Sequence, residues 1–145
     1  MTSTPSRLNA ETPIRLLLVD VHAISRESSR TLLNTISGFV VVGETSEYQE
    51  ALDLVARLAP DVVIISMRVH GSTGPDTARE ILLRNPGVHV IFWTLFDDPE
   101  YVRSALASGA RAYVLKQDPA HEVEVAIHQV LQGQTYLSPG LKHMQ

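Results

Sequence analysis

Four polar side chains that could take part in chemistry each follow a short apolar run. In chain order they are Asp20, Ser66, Thr94 and Lys116. Such apolar runs are typical of buried parallel strands, and functional groups gather beyond the carboxyl ends of these strands. We therefore expect the four side chains to meet in one pocket. A carboxylate and an ammonium group can pair there, and Asp20 could also cap the helix that follows it.

Covalent catalysis is not predicted, because neither hydroxyl group has an adjacent base. Ser66, His70 and Asp20 could be combined into a hydrolase triad, but the sequence has no G-x-S-x-G elbow. The loop from His70 to Gly74 lacks the lysine and the spacing of a P-loop. The chain has no cysteine, and its other histidines show no metal-ligand spacing. We expect a protein that is not an enzyme.

Strands and helices alternate along the chain and would bring these residues to one edge of a sheet. Apolar runs predict strands at 14–19, 39–43, 61–66, 88–94 and 112–115. Helical spacing and terminators predict helices at about 22–36, 47–59, from Pro75 to the turn at Gly87, 97–107 and 119–132. The first helix is expected to bury Ile24, Leu32 and Ile36. The alternation predicts an α/β fold with helices on both faces of a parallel sheet.

The length, composition and charge fit one globular domain. With 145 residues, 44% of them hydrophobic, the chain can bury a substantial core. The net charge is −4 and the basic residues are scattered, so this segment itself is not predicted to bind nucleic acid. No apolar run approaches the roughly 20 residues that cross a bilayer. Without a signal peptide or cysteine, the protein is expected to be cytoplasmic and to bind no membrane.

Several stretches resemble the receiver domain of response regulators, a module switched by phosphorylation of one aspartate. They are Val19-Asp20, the Gly-rich loop after Ser66, the strand that ends at Thr94, and the run Gly109–Lys116. The stretch Ala126–Leu131, with Gly133 and Tyr136–Pro139 after it, is most similar to the NarL/FixJ-type subfamily. The resemblance spans roughly residues 14–138. It implies a doubly wound (βα)5 fold of the CheY-like or flavodoxin-like kind, with five parallel strands in the order 2-1-3-4-5.

This sequence departs from the receiver pattern at the residues that carry the chemistry. The family has two adjacent acids after the first strand, where this chain has Asp20 and Val21, and an acceptor aspartate at Ser66. A serine hydroxyl cannot form an acyl phosphate. Magnesium usually enters through carboxylates, so we expect its binding to be weak or absent, with Asp20 alone as a weak candidate ligand. Leu95 replaces a commonly small residue, and His70 replaces a common proline.

The departures predict a receiver-like signalling module that does not run an aspartyl-phosphate cycle. We expect it to act through a protein partner or a homodimer, as the regulatory half of a helix-turn-helix transcription regulator that contacts DNA through a further domain. A small-ligand sensor that uses the altered pocket and a stand-alone adaptor remain as alternatives. The expected domains are a flexible leader at 1–12, a receiver-like domain at 13–133, and a tail or start of a linker at 134–145.

Two further expectations concern how such a module would signal. The resemblance implies a coupled switch pair at Thr94 and Tyr113, although a strand-end hydroxyl and a half-buried aromatic ring are the alternative interpretation. The face of the fourth helix, fifth strand and fifth helix is the family's usual contact surface. Its candidate contact residues here are Arg103, Ala107, His121, Glu124 and His128.

Overall fold

The computed structural model describes residues 12–144, with side chains up to Leu141. The predicted leader, residues 1–12, lies outside this range except for Thr12. The strands are β1 Ile14–Val19, β2 Phe39–Thr45, β3 Val62–Ile65, β4 Arg68–Val69, β5 Ser72–Thr73, β6 His89–Thr94, β7 Ala112–Leu115 and β8 Tyr136–Leu137. The helices are α1 Ala23–Asn34, α2 Tyr48–Leu58, α3 Gly74–Arg84, α4 Pro99–Ala107 and α5 His121–Leu131, followed by a 3-10 helix at Pro139–Met144. In the described part, none of the helices has the length and apolar character that a membrane span requires.

The main sheet is parallel and has the strand order β2-β1-β3-β6-β7-β8. Its first five strands confirm the predicted order 2-1-3-4-5, with β6 and β7 as the fourth and fifth strands. Val19 lies opposite Ile65, so Asp20 and Ser66 leave neighbouring strands side by side. Thr94 lies opposite Leu115, the residue before Lys116. The sixth strand, β8, was not predicted, because its two residues fall in the expected tail.

The core has two layers, one on each face of the sheet. Alternate strand residues such as Leu17 and Ile65 pack with α2, α3 and α4, whereas Leu16 and Ile64 pack with α1 and α5. Because both faces are covered, β3 is apolar at every position and β1 at every position except Arg15, instead of alternating with polar residues. The carboxyl ends of the strands are thereby fixed within one rigid framework.

Helix α1 is rotated relative to its prediction. Ile24, expected in the core, is 81% exposed, whereas Ser29 and Leu33 are buried. Leu32 and Ile36 are half-buried and pack at the margin of the core. The prediction for Ile24 was wrong because apolar spacing was taken to mark the whole inner face of the helix. Part of that face is polar, because Ser25 and Ser29 accept hydrogen bonds from the Lys116 ammonium group.

The Gly-rich connection after Ser66 is folded and not an open loop. β4 and β5 pair as a short antiparallel hairpin, and His70 within it exchanges backbone hydrogen bonds with Ser46 and Tyr48. The chain then passes so close to the end of β3 that a Cβ atom on Gly74 would lie 2.1 Å from the Ser66 carbonyl oxygen. Only glycine permits this approach, which places the start of α3 against the pocket.

Candidate functional site

A cavity of about 280 Å³ opens at the carboxyl edge of the sheet. Its lining residues are Asp20, His22, Ser25, Ser66, Arg68, Trp93, Thr94, Leu95, Phe96 and Lys116. The four strand-end residues therefore do share one pocket, and Leu95 stands at its rim with a side chain that is 65% exposed. Val21 is half-buried and follows Asp20 outside this lining. A larger cavity of about 450 Å³ lies at the opposite end of the sheet, against Asp61 and His89, and includes none of the strand-end side chains.

Asp20 is buried, and both of its carboxylate oxygens have hydrogen-bond partners. Its Oδ1 accepts from the His22 amide at 3.0 Å and faces the Ser66 hydroxyl at 3.3 Å, while its Oδ2 accepts from the Ser25 hydroxyl at 2.8 Å. The contact with the amide two residues ahead is an Asx-type turn. It orients the start of α1, whose N-cap residue is His22. Asp20 therefore lies in the pocket as predicted, but it does not cap α1, because the N-cap residue is His22 and no side-chain oxygen caps the first turn.

Ser66 lies one residue beyond β3, half-buried at the floor of the cavity. Its Oγ is 3.3 Å from Asp20 Oδ1 and 3.0 Å from the Arg68 carbonyl oxygen. Its single proton can be donated to only one of these acceptors at a time. His70, the base of the triad considered above, belongs to the hairpin and not to the cavity lining, so the three residues do not assemble as a triad.

Lys116 reaches across the pocket to α1. Its Nζ donates to Ser25 Oγ at 2.7 Å and to Ser29 Oγ at 3.1 Å, and lies 3.9 Å from Asp20 Oδ2. It also lies 4.8 Å from the centroid of the Trp93 ring, a cation–π position that favours the charged form. Burial lowers the pKa of the Lys116 ammonium group, and the Asp20 carboxylate opposes this shift. The predicted pairing of Asp20 with Lys116 therefore takes the form of an ion pair bridged by the Ser25 hydroxyl.

Thr94 and Tyr113 hold the loop that follows β6 from two sides. Thr94 Oγ1 accepts from the Phe96 amide at 3.3 Å, and the Tyr113 hydroxyl donates to the Phe96 carbonyl oxygen at 2.6 Å. Tyr113 has no exposed surface and stacks on Phe92 with 6.0 Å between ring centroids. Burial raises the pKa of the Tyr113 phenol, with Asp97 and Asp98 adding to the shift, so its hydroxyl remains a donor. The two side chains act on the same residue, Phe96.

The sequence reasoning missed the residues that complete the pocket. Ser25 and Ser29 are four positions apart, a spacing that places both on one face of a helix and could have identified them. Trp93 is buried, and it also forms a wall of the cavity. Arg68 covers the Phe96 ring at 5.5 Å, a tertiary contact with no signal in the sequence.

The doubly wound parallel sheet defines a flavodoxin-like α/β domain. Its polar cluster lies next to β1 and β3, where the strand order reverses, so the pocket is at the switch point of the sheet. The family model of the response regulator receiver domain matches residues 16–128. The chain therefore belongs to the response regulator receiver domain family. Its relatives group it with receivers of the NarL, DegU and GacA kind.

Curated relatives support this assignment over most of the chain. It is 30% identical over 133 residues to the transcriptional regulatory protein DegU of Brevibacillus brevis, and the alignment covers 92% of this chain and 56% of DegU. It is 35% identical over 111 residues to the transcriptional regulatory protein DesR of Bacillus subtilis, and this alignment covers 77% of this chain and 55% of DesR. The chain spans about half the length of the curated relatives it matches.

A solved structure confirms the predicted CheY-like fold. The two-component response regulator of the LuxR family from Aurantimonas sp. SI85-9A1 is 29% identical, with a TM-score of 0.85. The alignment covers 90% of this chain and 94% of that one. The additional strand β8 falls within the part of the chain that follows the family match at residue 128.

Proposed function

We propose that this receiver domain is switched without a phosphoaspartate and signals through protein–protein contact. One observation carries the proposal. Among the residues that the structure describes, Asp20 is the single carboxylate that lines the cavity, and its oxygens already accept hydrogen bonds from the His22 amide and the Ser25 hydroxyl. At the end of β3, where the family has its acceptor aspartate, stands the hydroxyl of Ser66.

The chemistry of the donor set does not fit magnesium. This ion requires a near-octahedral shell of oxygen ligands and usually keeps at least one or two carboxylates. Here the Lys116 ammonium faces Asp20 at 3.9 Å, so a cation of the chain itself already balances that charge. No group of three or more potential metal-ligating side chains occurs within the described part of the chain. We expect the domain to need no ion to relieve repulsion in its pocket.

The output proposed for the whole protein follows from the relatives. DegU and DesR are named transcriptional regulatory proteins, and each is almost twice as long as its aligned part. We extend the proposal accordingly: this domain is the regulatory part of a transcription regulator, and DNA is contacted by a helix-turn-helix domain outside it. On the α4–β7–α5 face, the candidate contact residues Arg103, Ala107 and His121 are exposed, whereas Glu124 and His128 are half-buried.

The test compares the wild-type domain with a variant in which the missing acids are restored. Amide NMR spectra are recorded with magnesium and beryllofluoride for the wild type and for Val21→Asp/Ser66→Asp. We expect no change at Asp20, Thr94 and Lys116 in the wild type. The variant should respond, because it regains two carboxylates, which make three with Asp20 and include the acceptor. Shifts in the wild type like those of the variant would contradict the proposal, as would acid-labile phosphate on the wild-type chain after incubation with a sensor kinase.

The small-ligand sensor is a second candidate function, supported by the make-up of the cavity. Its wall contains Trp93 and Phe96, and the cations Arg68 and Lys116 stand beside them. This combination suits a small anion with a flat apolar part. Trp93 is the only tryptophan in the chain, so its fluorescence reports directly on the pocket. Saturable quenching by benzoate that is weakened in Arg68→Ala would support this function, and unsaturable quenching would exclude it for this class of ligand.

A further inference from the structure

The segment Tyr136–Leu141, which we name the strap, closes the free edge of the sheet after α5. Its first two residues form β8, which pairs in parallel with β7. The Tyr136 amide donates to the Arg111 carbonyl oxygen and the Ser138 amide to the Tyr113 carbonyl oxygen, both at 3.0 Å. An exposed edge strand would otherwise present unpaired amides and carbonyls to other chains. The strap therefore occupies a surface on which another strand could pair.

Buried side chains anchor the strap to the domain. Ser138 and Leu141 have no exposed surface, and Leu141 packs in the same core layer as Tyr113 and Leu115. A Cβ atom on Gly140 would lie 3.0 Å from a methyl group of Leu115, tighter than an ordinary contact. This depth of packing distinguishes the strap from a linker that merely lies on the surface.

One carboxylate holds the strap at its centre. Asp118 Oδ2 accepts hydrogen bonds from the Ser138 hydroxyl and, at 3.0 Å, from the Gly140 amide. Ser138 Oγ in turn accepts from the Leu115 amide at 3.2 Å, so the hydroxyl links the end of β7 to the carboxylate. Removing Asp118 would leave a fully buried hydroxyl without its acceptor, which is the costly way to lose a hydrogen bond.

Three consecutive residues connect this anchor to the pocket. Lys116 donates to Ser25 and Ser29 of α1, Gln117 Nε2 donates to the Leu95 carbonyl oxygen at 3.1 Å, and Asp118 holds the strap. Successive Cα atoms are only about 3.8 Å apart, so this short link cannot absorb a large displacement at one end. Tyr113 offers a second connection, because its hydroxyl binds Phe96 and its carbonyl oxygen binds the strap.

We propose that the strap transmits the state of the pocket to the chain that follows Leu141, with Asp118 as the positioning residue. A molecule or modification that draws Lys116 away from the α1 serines moves Gln117 and Asp118 with it, which weakens the bonds to Ser138 and Gly140. The strap then leaves the edge of β7 and exposes it. The coupling does not depend on whether the pocket accepts a phosphoryl group. By linkage, loosening the strap must also loosen the hold on Lys116.

Amide hydrogen exchange at Ser138 and Leu141 tests the proposal, since it reports local opening residue by residue. Asp118→Ala should accelerate exchange at both amides by about tenfold or more, the loss expected when a buried hydrogen bond is left unsatisfied. Lys116→Met, which removes only the distant ammonium group, should accelerate exchange at the same amides several-fold. Asp53→Asn, a change to an exposed acid on α2, is the matched control and should leave them unchanged.

The amides of Leu17 and Ile64 in the central strands separate local release from general loss of stability. Faster exchange of the strap amides with unchanged central strands supports the proposal. If Lys116→Met accelerates all amides alike, Gln117→Ala decides, because it removes the bond from Gln117 to the Leu95 carbonyl oxygen without removing a charge. The proposal is overturned if the strap amides of Lys116→Met exchange at the wild-type rate. Where Gln117→Ala is the deciding variant, the same result in that variant overturns it.

Discussion

The pocket has two halves that differ in how deeply their residues are built into the domain. On the β1–β3 side, Ser66 is half-buried, and its hydroxyl contacts only Asp20 and the Arg68 carbonyl oxygen. On the β6–β7 side, Tyr113 is fully buried and is tied through Phe96 to the loop and through Ser138 to the strap. The side that would accept a phosphoryl group can therefore change with little effect on the fold. The β6–β7 side, in contrast, is part of the core.

Replacing Tyr113 should have the largest effect on stability. It tests whether the β6–β7 half of the pocket is part of the core. We expect Tyr113→Ala to lower the free energy of unfolding by about 3–5 kcal/mol, because it removes a large, fully buried ring. Tyr113→Phe is the matched control, since it keeps the ring and loses only the bond to Phe96; its cost should be about 1–2 kcal/mol. Urea unfolding measures both. A loss below about 1 kcal/mol for the alanine variant would contradict the division between the two halves.

Asp20 is the exception on the β1–β3 side, and its replacement should have the second largest effect. Asp20→Ala removes the acceptor for the His22 amide and leaves the Lys116 ammonium without its carboxylate. We expect a loss of about 2–3 kcal/mol in the free energy of unfolding, the cost of an uncompensated, largely buried charge and an unsatisfied donor. Asp20→Asn keeps an acceptor and should cost less. A combined Asp20→Ala/Lys116→Met variant that is more stable than Asp20→Ala alone would locate the loss in the stranded ammonium group.

The fold could be predicted from the sequence because its signals are local. The apolar runs of β1 and β3 and the stop residues after the helices fixed most boundaries to within about two residues, the usual uncertainty of helix ends. The strand ends then located the pocket. Its internal contacts could not be predicted in the same way, because they join residues far apart in the chain. Lys116 and Ser25 are 91 positions apart, and the inward polar face of α1 misled the prediction for Ile24.

The strap was missed for a similar reason. Two strand residues, Tyr136 and Leu137, are too few to show a periodicity, and the glycine and proline around them are typical of turns. Leu141 is buried only because Tyr113 and Leu115 provide a site for it across the sheet edge. Such a segment gains its structure from tertiary packing and not from its own propensity.

Ser66→Ala tests the β1–β3 side of the pocket directly and should change stability little. The hydroxyl is half-buried, and each of its acceptors has another partner: Asp20 Oδ1 accepts from the His22 amide and the Arg68 carbonyl oxygen from the Val21 amide. We expect a change within about 0.5 kcal/mol in the free energy of unfolding, as for surface substitutions. Thr94→Val, a change of similar size on the buried β6–β7 side, is the matched control and should cost more, because the Phe96 amide loses its acceptor. Equal effects of the two variants would contradict the comparison.

The last and smallest effect expected is on the slope of stability against pH in the alkaline range. The folded-state pKa of Lys116 is lowered below 10.5 by burial, so between these two values the unfolded chain binds more protons than the folded one. Stability should therefore rise with pH in that window. The pKa of Tyr113 is raised above 10.0, so above pH 10 the unfolded chain loses a proton that the folded chain keeps, and stability should fall. Urea unfolding between pH 8.5 and pH 11 should show both limbs. Lys116→Met should remove the rising limb and Tyr113→Phe the falling one; if neither substitution changes its limb, the pKa shifts that burial is taken to cause in these two residues are wrong.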